Sequence, residues 1–239
     1  MLTRLRRALG STNRPTTAHS PPLDRTVAPL ARQALLAAIN PATGRRWNSN
    51  ARYVVAAAVL LELAHEGRFT VSGTGKALRY TLRDSTPLGD PVLDEALQSL
   101  EAAGFGKKLA RYVSVMPSDD RVIEQLVGQG LLVDETHRVL GVLPRRRLLP
   151  TATAGREEVV ARIRSALLGE AVPDERTALL VVALHVGIPC SLFVPRGRVR
   201  EADRRRDELL ESIGDDVRAV VMAVRAVRDR REGGDSSSV

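Results

Sequence analysis

Cysteine is almost absent from this chain of 239 residues, the single thiol being Cys190. One thiol excludes an internal disulfide framework and a cysteine-built metal site, and it points to a reducing compartment of cytosolic type. Aromatic residues are also scarce, 3% against 44% hydrophobic residues in all. The core must therefore be built from Leu, Val and Ala, as in helical packing. No apolar stretch reaches the roughly 20 residues that a membrane-spanning helix needs. The opening MLTRLRRALG is basic but lacks the apolar run and cleavage site of a secretory signal. His19, His65, His137 and His185 show no His-x-x-x-His or His-Glu-x-x-His spacing, so no metal site is expected.

What the chain does have is positive charge, 36 Lys and Arg against 28 Asp and Glu, a formal net of +8. Such an excess favours an anionic partner, either phosphate headgroups or nucleic acid. The plainer reading is that many arginines are solvated helix faces.

The length suits one domain with loose ends. Residues 1–24 are polar and punctuated by Pro15, Pro21 and Pro22, with Arg4, Arg6, Arg7 and Arg14 among them. They are expected to form a flexible basic leader. Residues 25–232 read as one continuous domain, and 233–239, with Ser236–Ser238, as a disordered tail. LARQALLAAI has helical periodicity and is closed by Asn40-Pro41 and Gly44. Asn48 or Asn50 can cap a second helix through Val54–Ala64, apolar almost all round and hence the buried centre of a bundle. RFTVSG and ALRYTLRD flank Gly73-Thr74-Gly75 as a β-hairpin. Asp90 followed by Pro91 makes an N-cap and first-turn pair for VLDEALQSLEAA. Helices follow at Lys107–Val115 and Ser118–Gly128, a second hairpin at Leu131–Leu149, and helices at 156–168, 174–186, 199–213 and 215–231. The expected fold is mainly α, a single-domain helical bundle with surrounding amphipathic helices and two small β-hairpins.

Catalytic chemistry is hard to find. Gly75-Lys76 would fit a phosphate loop only with glycine at Thr70 and a hydroxyl at Ala77, so a hairpin turn is the better reading. Cys190 has no sequence neighbour to lower its pKa. Asp94 and Glu95 are adjacent and leave a helix on different sides. Glu62 reads as a structural carboxylate within the buried helix. No enzyme is expected and no cofactor is called for. The best functional cluster is Arg45-Arg46-Trp47-Asn48. A loop indole suits a headgroup boundary and guanidinium forks grip phosphate, although Trp47 would equally serve as a loop anchor on the core.

Taken in order, RRWNSNARYVVAAAVLLELAHEGRF (45–69) and STPLGDPVLDEAL (85–97), then LVGQGLL (126–132) and TALLVVALHVG (177–187), resemble the Golgi phosphoprotein 3 family. The chain is similar to a bacterial-type member over roughly residues 28 to 230. The resemblance implies a peripheral membrane protein that binds phosphatidylinositol 4-phosphate through a tryptophan and three arginines. Trp47 matches the tryptophan, whereas the arginine positions are Ala56, Met116 and Asp119. An alanine, a methionine and an acid cannot make three charge-assisted phosphate contacts. Arg52, one turn before Ala56, and Arg121, close to Asp119, are therefore expected to join Arg45 and Arg46 in a rebuilt pocket. The resemblance also gives the hairpin of residues 131–149 a role in membrane contact and self-association. Val139, Leu140, Val142 and Leu143 would be its apolar part and Arg145, Arg146 and Arg147 its headgroup contacts.

The expectation is thus a non-enzymatic peripheral membrane or adaptor protein on the cytoplasmic face of a membrane. It would bind phosphatidylinositol 4-phosphate-like or other anionic lipid, with protein partners through its basic N-terminus and a homo-oligomer through the hairpin. The alternatives are a nucleic-acid-binding helical regulator or a protein-only scaffold that has lost lipid binding. Nucleic acid is not the expected partner, because no short helix-turn-helix with a polar recognition helix stands out.

Overall fold

An apolar helix with no polar face has to be surrounded, and Ala51–His65 (α2) is: Val54, Val55, Ala57, Ala58, Val59, Leu60, Leu61 and Leu63 are all fully buried. The computed structural model of the protein describes residues 28–73, 78–104, 108–113, 116–139 and 143–235. Leu30–Ala38 (α1), Glu175–Leu184 (α7) and Asp215–Asp235 (α9) pack around α2. Outside them lie Arg156–Leu168 (α6), against α1 and α7, and Val199–Ser212 (α8), against α6 and α7. Truncating one of these core leucines, such as Leu60→Ala, would cost about 2–5 kcal/mol through lost transfer energy and the cavity left behind.

Three further helices also contact α2: Pro91–Ala103 (α3), Leu109–Val113 (α4), which packs on α9, and Asp119–Gly128 (α5), which packs on α1. Asp90 caps α3 as its sequence implies, accepting from the N–H groups of Val92 and Leu93 at 3.0 and 3.2 Å. Three of the scarce aromatics, Phe69, Tyr80 and Tyr112, meet here. Tyr80 lies 4.1 Å from Tyr112, ring centre to ring centre, and edge-on to Phe69. Both tyrosine hydroxyls donate to the Gly104 carbonyl at 2.9 Å, fastening the C-terminal end of α3.

Among the described residues three antiparallel strand pairs edge the bundle: Ile39–Asn40 (β1) with Arg45–Arg46 (β2), Phe69–Ser72 (β3) with Arg79–Leu82 (β4), and Leu132–Val139 (β5) with Leu143–Pro150 (β6). The mainly α reading holds, and both anticipated hairpins are present. The β1–β2 pair was not anticipated. Two residues a side are too short for an alternating pattern, and the turn residues between them read only as a helix stop. At the C-terminus, α9 continues through Gly233 to Asp235, past the expected boundary at 232. The leader 1–24, Lys76 and Ala77, the hairpin residues Leu140 and Val142, and residues 236–239 lie outside the described residues. Among the described residues no helix is long and apolar enough to cross a membrane.

Candidate functional site

The loop that carries Trp47 is built by short-range bonds. Asn40 Oδ1 accepts from the Ala42 N–H at 2.9 Å, Thr43 Oγ1 from the Arg45 N–H at 3.3 Å, and the Asn40 carbonyl from the Gly44 N–H at 2.8 Å. Gly44 turns the chain with φ +64, a left-handed conformation that glycine adopts without steric cost. The turn sends β2 back along β1, and the Trp47 N–H then bonds the Ala38 carbonyl at 2.9 Å. Asn48 closes the loop by donating to the Gly187 carbonyl at 2.8 Å while accepting from the Asn50 N–H at 3.0 Å. Asn50 stands at the N-cap position of α2, and Gly187 is packed so closely that a Cβ there would lie 2.6 Å from the Asn50 Cβ. Trp47 is half-buried against the core. It is anchor and cleft wall at once, so the two sequence readings of this indole are not exclusive.

Strand β6 runs beside this loop. The Leu148 N–H donates to the Gly44 carbonyl at 2.6 Å. The two segments enclose a surface cleft of about 650 Å³, lined by Asn40, Thr43, Arg45, Arg46, Trp47, Ser49 and Arg146 among others. That volume is within the range of small-molecule sites. The structure therefore joins what sequence reading kept apart, the tryptophan cluster and one arginine of the hairpin.

The electrostatics of the cleft are not simply positive. Arg46 pairs with Asp119, whose side chain is only 8% exposed. Arg146 grips Asp134 with Nε and Nη2 at 2.8–3.0 Å and reaches Asp120 with Nη1 at 2.7 Å. Hydrogen bonds to Asp134 first and then Asp120 hold the Arg146 guanidinium above its ordinary pKa. Arg45 is exposed, and its guanidinium has no acidic partner among the described residues.

Arg52 and Arg121 do not join this cleft, contrary to expectation. The Arg52 guanidinium lies 4.6 Å over the Tyr53 ring and donates to the Tyr53 hydroxyl. Arg121 is drawn to Glu95 at 2.9 Å and Glu124 at 2.8 Å, around the start of α3. One helical turn of spacing puts Arg52 on the side of Ala56, but Ala56 itself is 3% exposed and faces the core. Met116 is likewise buried. In the hairpin, the strand register sets Val139 opposite Leu143, His137 opposite Arg145 and Glu135 opposite Arg147.

Sequence reasoning missed Asp119, Asp120 and Asp134 as partners, and Asn40, Thr43 and Ser49 as lining. Asp119 and Asp120 stand in the first turn of α5, where acidic residues are ordinary. Nothing local marks which arginines such acids face.

Other buried ionisable groups have structural partners. Glu62 accepts from the Leu30 N–H and from Arg176 Nη2, both at 2.9 Å. Burial raises its pKa and Arg176 partly opposes that. Burial pushes the Cys190 thiol up to about 12, although Arg206 lies 3.4 Å from Sγ, so the reactive thiolate is disfavoured. Among the described residues no group of three His, Cys, Asp or Glu side chains can hold a metal ion.

The sequence matches the family model described as Golgi phosphoprotein 3 (GPP34) over residues 30–229. No curated protein matches it.

Proposed function

The chain belongs to the Golgi phosphoprotein 3 family, and from that premise we propose a non-enzymatic peripheral membrane protein of adaptor type. It binds anionic lipid headgroups, phosphatidylinositol 4-phosphate-like or other, through the Trp47 cleft on the cytoplasmic face of a membrane. The carrying observation is that Trp47, Arg45, Arg46 and Arg146 line one open cleft. An indole prefers the headgroup boundary, and arginine forks bind phosphate oxygens bidentately. The formal charge of +8 adds attraction to an anionic bilayer, reduced by salt. The basic residues 1–24 then serve protein partners, and the β5–β6 hairpin serves membrane contact or self-association.

The test is co-flotation of the purified chain with neutral and anionic vesicles, beside its Trp47→Ala variant. Anion-dependent flotation that the substitution abolishes is the expected result. Equal flotation of both proteins, or tighter binding to a nucleic-acid duplex than to any vesicle, would overturn the reading.

A further inference from the structure

We propose that the Trp47 cleft takes a singly charged phosphodiester bearing a neutral polyol, and disfavours a phosphomonoester dianion. This rests on the reading of the cleft as a headgroup site and narrows its ligand.

Three aspartates, Asp119, Asp120 and Asp134, face two of the cleft's three arginines, Arg46 and Arg146. Arg46 is committed to Asp119, and Arg146 to Asp134 and Asp120. Arg45 alone of the three has a guanidinium without a carboxylate partner among the described residues. One free fork matches one negative charge. A dianion would need a second fork and would have to displace an aspartate to get it. Displacing Asp119, 8% exposed, leaves a buried carboxylate without its counter-ion and facing a second anion. Both effects oppose binding.

The other polar side chains of the lining are neutral. Asn40 uses its Oδ1 on the Ala42 N–H, and its amide N–H groups have no partner among the described residues. The Thr43 oxygen accepts from the Arg45 N–H, which leaves its O–H free to donate. The Ser49 hydroxyl has no partner among the described residues. These donors and hydroxyls stand beside the half-buried Trp47 ring. Uncharged donors next to a flat apolar wall fit the hydroxyls and C–H face of a polyol. They offer nothing charged to a carboxylate or an ammonium headgroup.

The same chemistry occurs in phosphatidylinositol and phosphatidylglycerol and in free glycerophosphodiesters, so the experiment needs arms for both sources. Wild type is floated with phosphatidylcholine vesicles doped with phosphatidylinositol, phosphatidylglycerol, phosphatidylserine or phosphatidylinositol 4-phosphate at matched surface charge. Glycerophosphoinositol is titrated separately by calorimetry. The expected order places the two polyol phosphodiesters above phosphatidylserine and phosphatidylinositol 4-phosphate. Arg45→Ala should weaken binding by about tenfold or more through loss of the one free fork. Asp119→Asn, or the more exposed Asp134→Asn if the first fails to fold by circular dichroism, should shift preference toward phosphatidylinositol 4-phosphate. Equal or tighter wild-type binding of phosphatidylinositol 4-phosphate at matched charge overturns this inference and leaves the membrane reading standing. Absence of flotation with every anionic vesicle overturns the membrane reading. In that case calorimetric binding of glycerophosphoinositol supports a phosphodiester site with a soluble ligand, and its absence overturns the inference as well.

Discussion

The backbone N–H of Leu148 donates to the carbonyl of Gly44 at 2.6 Å, and this bond ties the arginine-bearing strand β6 to the loop that presents Trp47. The approach is close enough that a Cβ on Gly44 would meet Leu149 Cδ2 at 3.1 Å and both Arg147 Cβ and the Leu148 carbonyl oxygen at 3.2 Å. Gly44 also has φ +64. Gly44→Ala therefore combines backbone strain with crowding and should destabilise the fold by about 1–3 kcal/mol. Thermal unfolding would report a lower Tm, and tryptophan emission would shift as the Trp47 wall of the cleft loosens. An unchanged Tm and spectrum would mean that the loop and β6 are not in contact.

Asp90 does more than cap α3. Beyond the N–H groups of Val92 and Leu93 it accepts from Arg32 Nη2 at 2.7 Å and Gln125 Nε2 at 3.0 Å, holding α1, α3 and α5 together. Asp90→Ala should cost about 2 kcal/mol, cap and bridging bonds combined. Urea titration would show the midpoint falling with little change in slope.

His185 makes stability depend on pH. Burial first, then the positive charges of Arg206 and Arg225, pushes its pKa down from 6.5 to about 4, with Asp207 acting the other way. A histidine depressed in the folded state contributes its stability in full above the unfolded value and loses it as pH falls through the folded one. Wild type should therefore lose more stability than His185→Gln on going from pH 6.5 to about 4. Parallel Tm profiles for the two proteins over that range would contradict the assignment.

Arg52 and Arg121 supply the internal control for the cleft. Both are arginines close in sequence to the positions where the family resemblance calls for phosphate ligands, yet one lies on the Tyr53 ring and the other between Glu95 and Glu124. Arg52→Ala and Arg121→Ala should leave vesicle binding essentially unchanged, whereas Arg45→Ala and Arg146→Ala should reduce it. Loss of binding in the first pair with retention in the second would move the site to another face.

Much of the fold was legible because its signals are local. The unbroken apolar composition of α2 forces burial, the Asp90-Pro91 pair starts a helix, and glycine between alternating segments marks the β3–β4 hairpin. Composition alone also fixed a core of Leu, Val and Ala and singled out Trp47 beside two arginines. Tertiary structure decided what those arginines do. Arg46 finds Asp119 across 73 residues of chain, and Arg146 finds Asp120 across 26. Such pairs follow from how β2, α5 and β6 come together, and neither periodicity nor capping encodes which arginine meets which carboxylate. The sequence thus determined that this chain carries excess positive charge near its tryptophan. Packing decided that, of the cleft's arginines, Arg46 and Arg146 hold carboxylates already while Arg45 has no acidic partner among the described residues, because a charge is paired or unpaired according to what lies within a few ångströms of it in space.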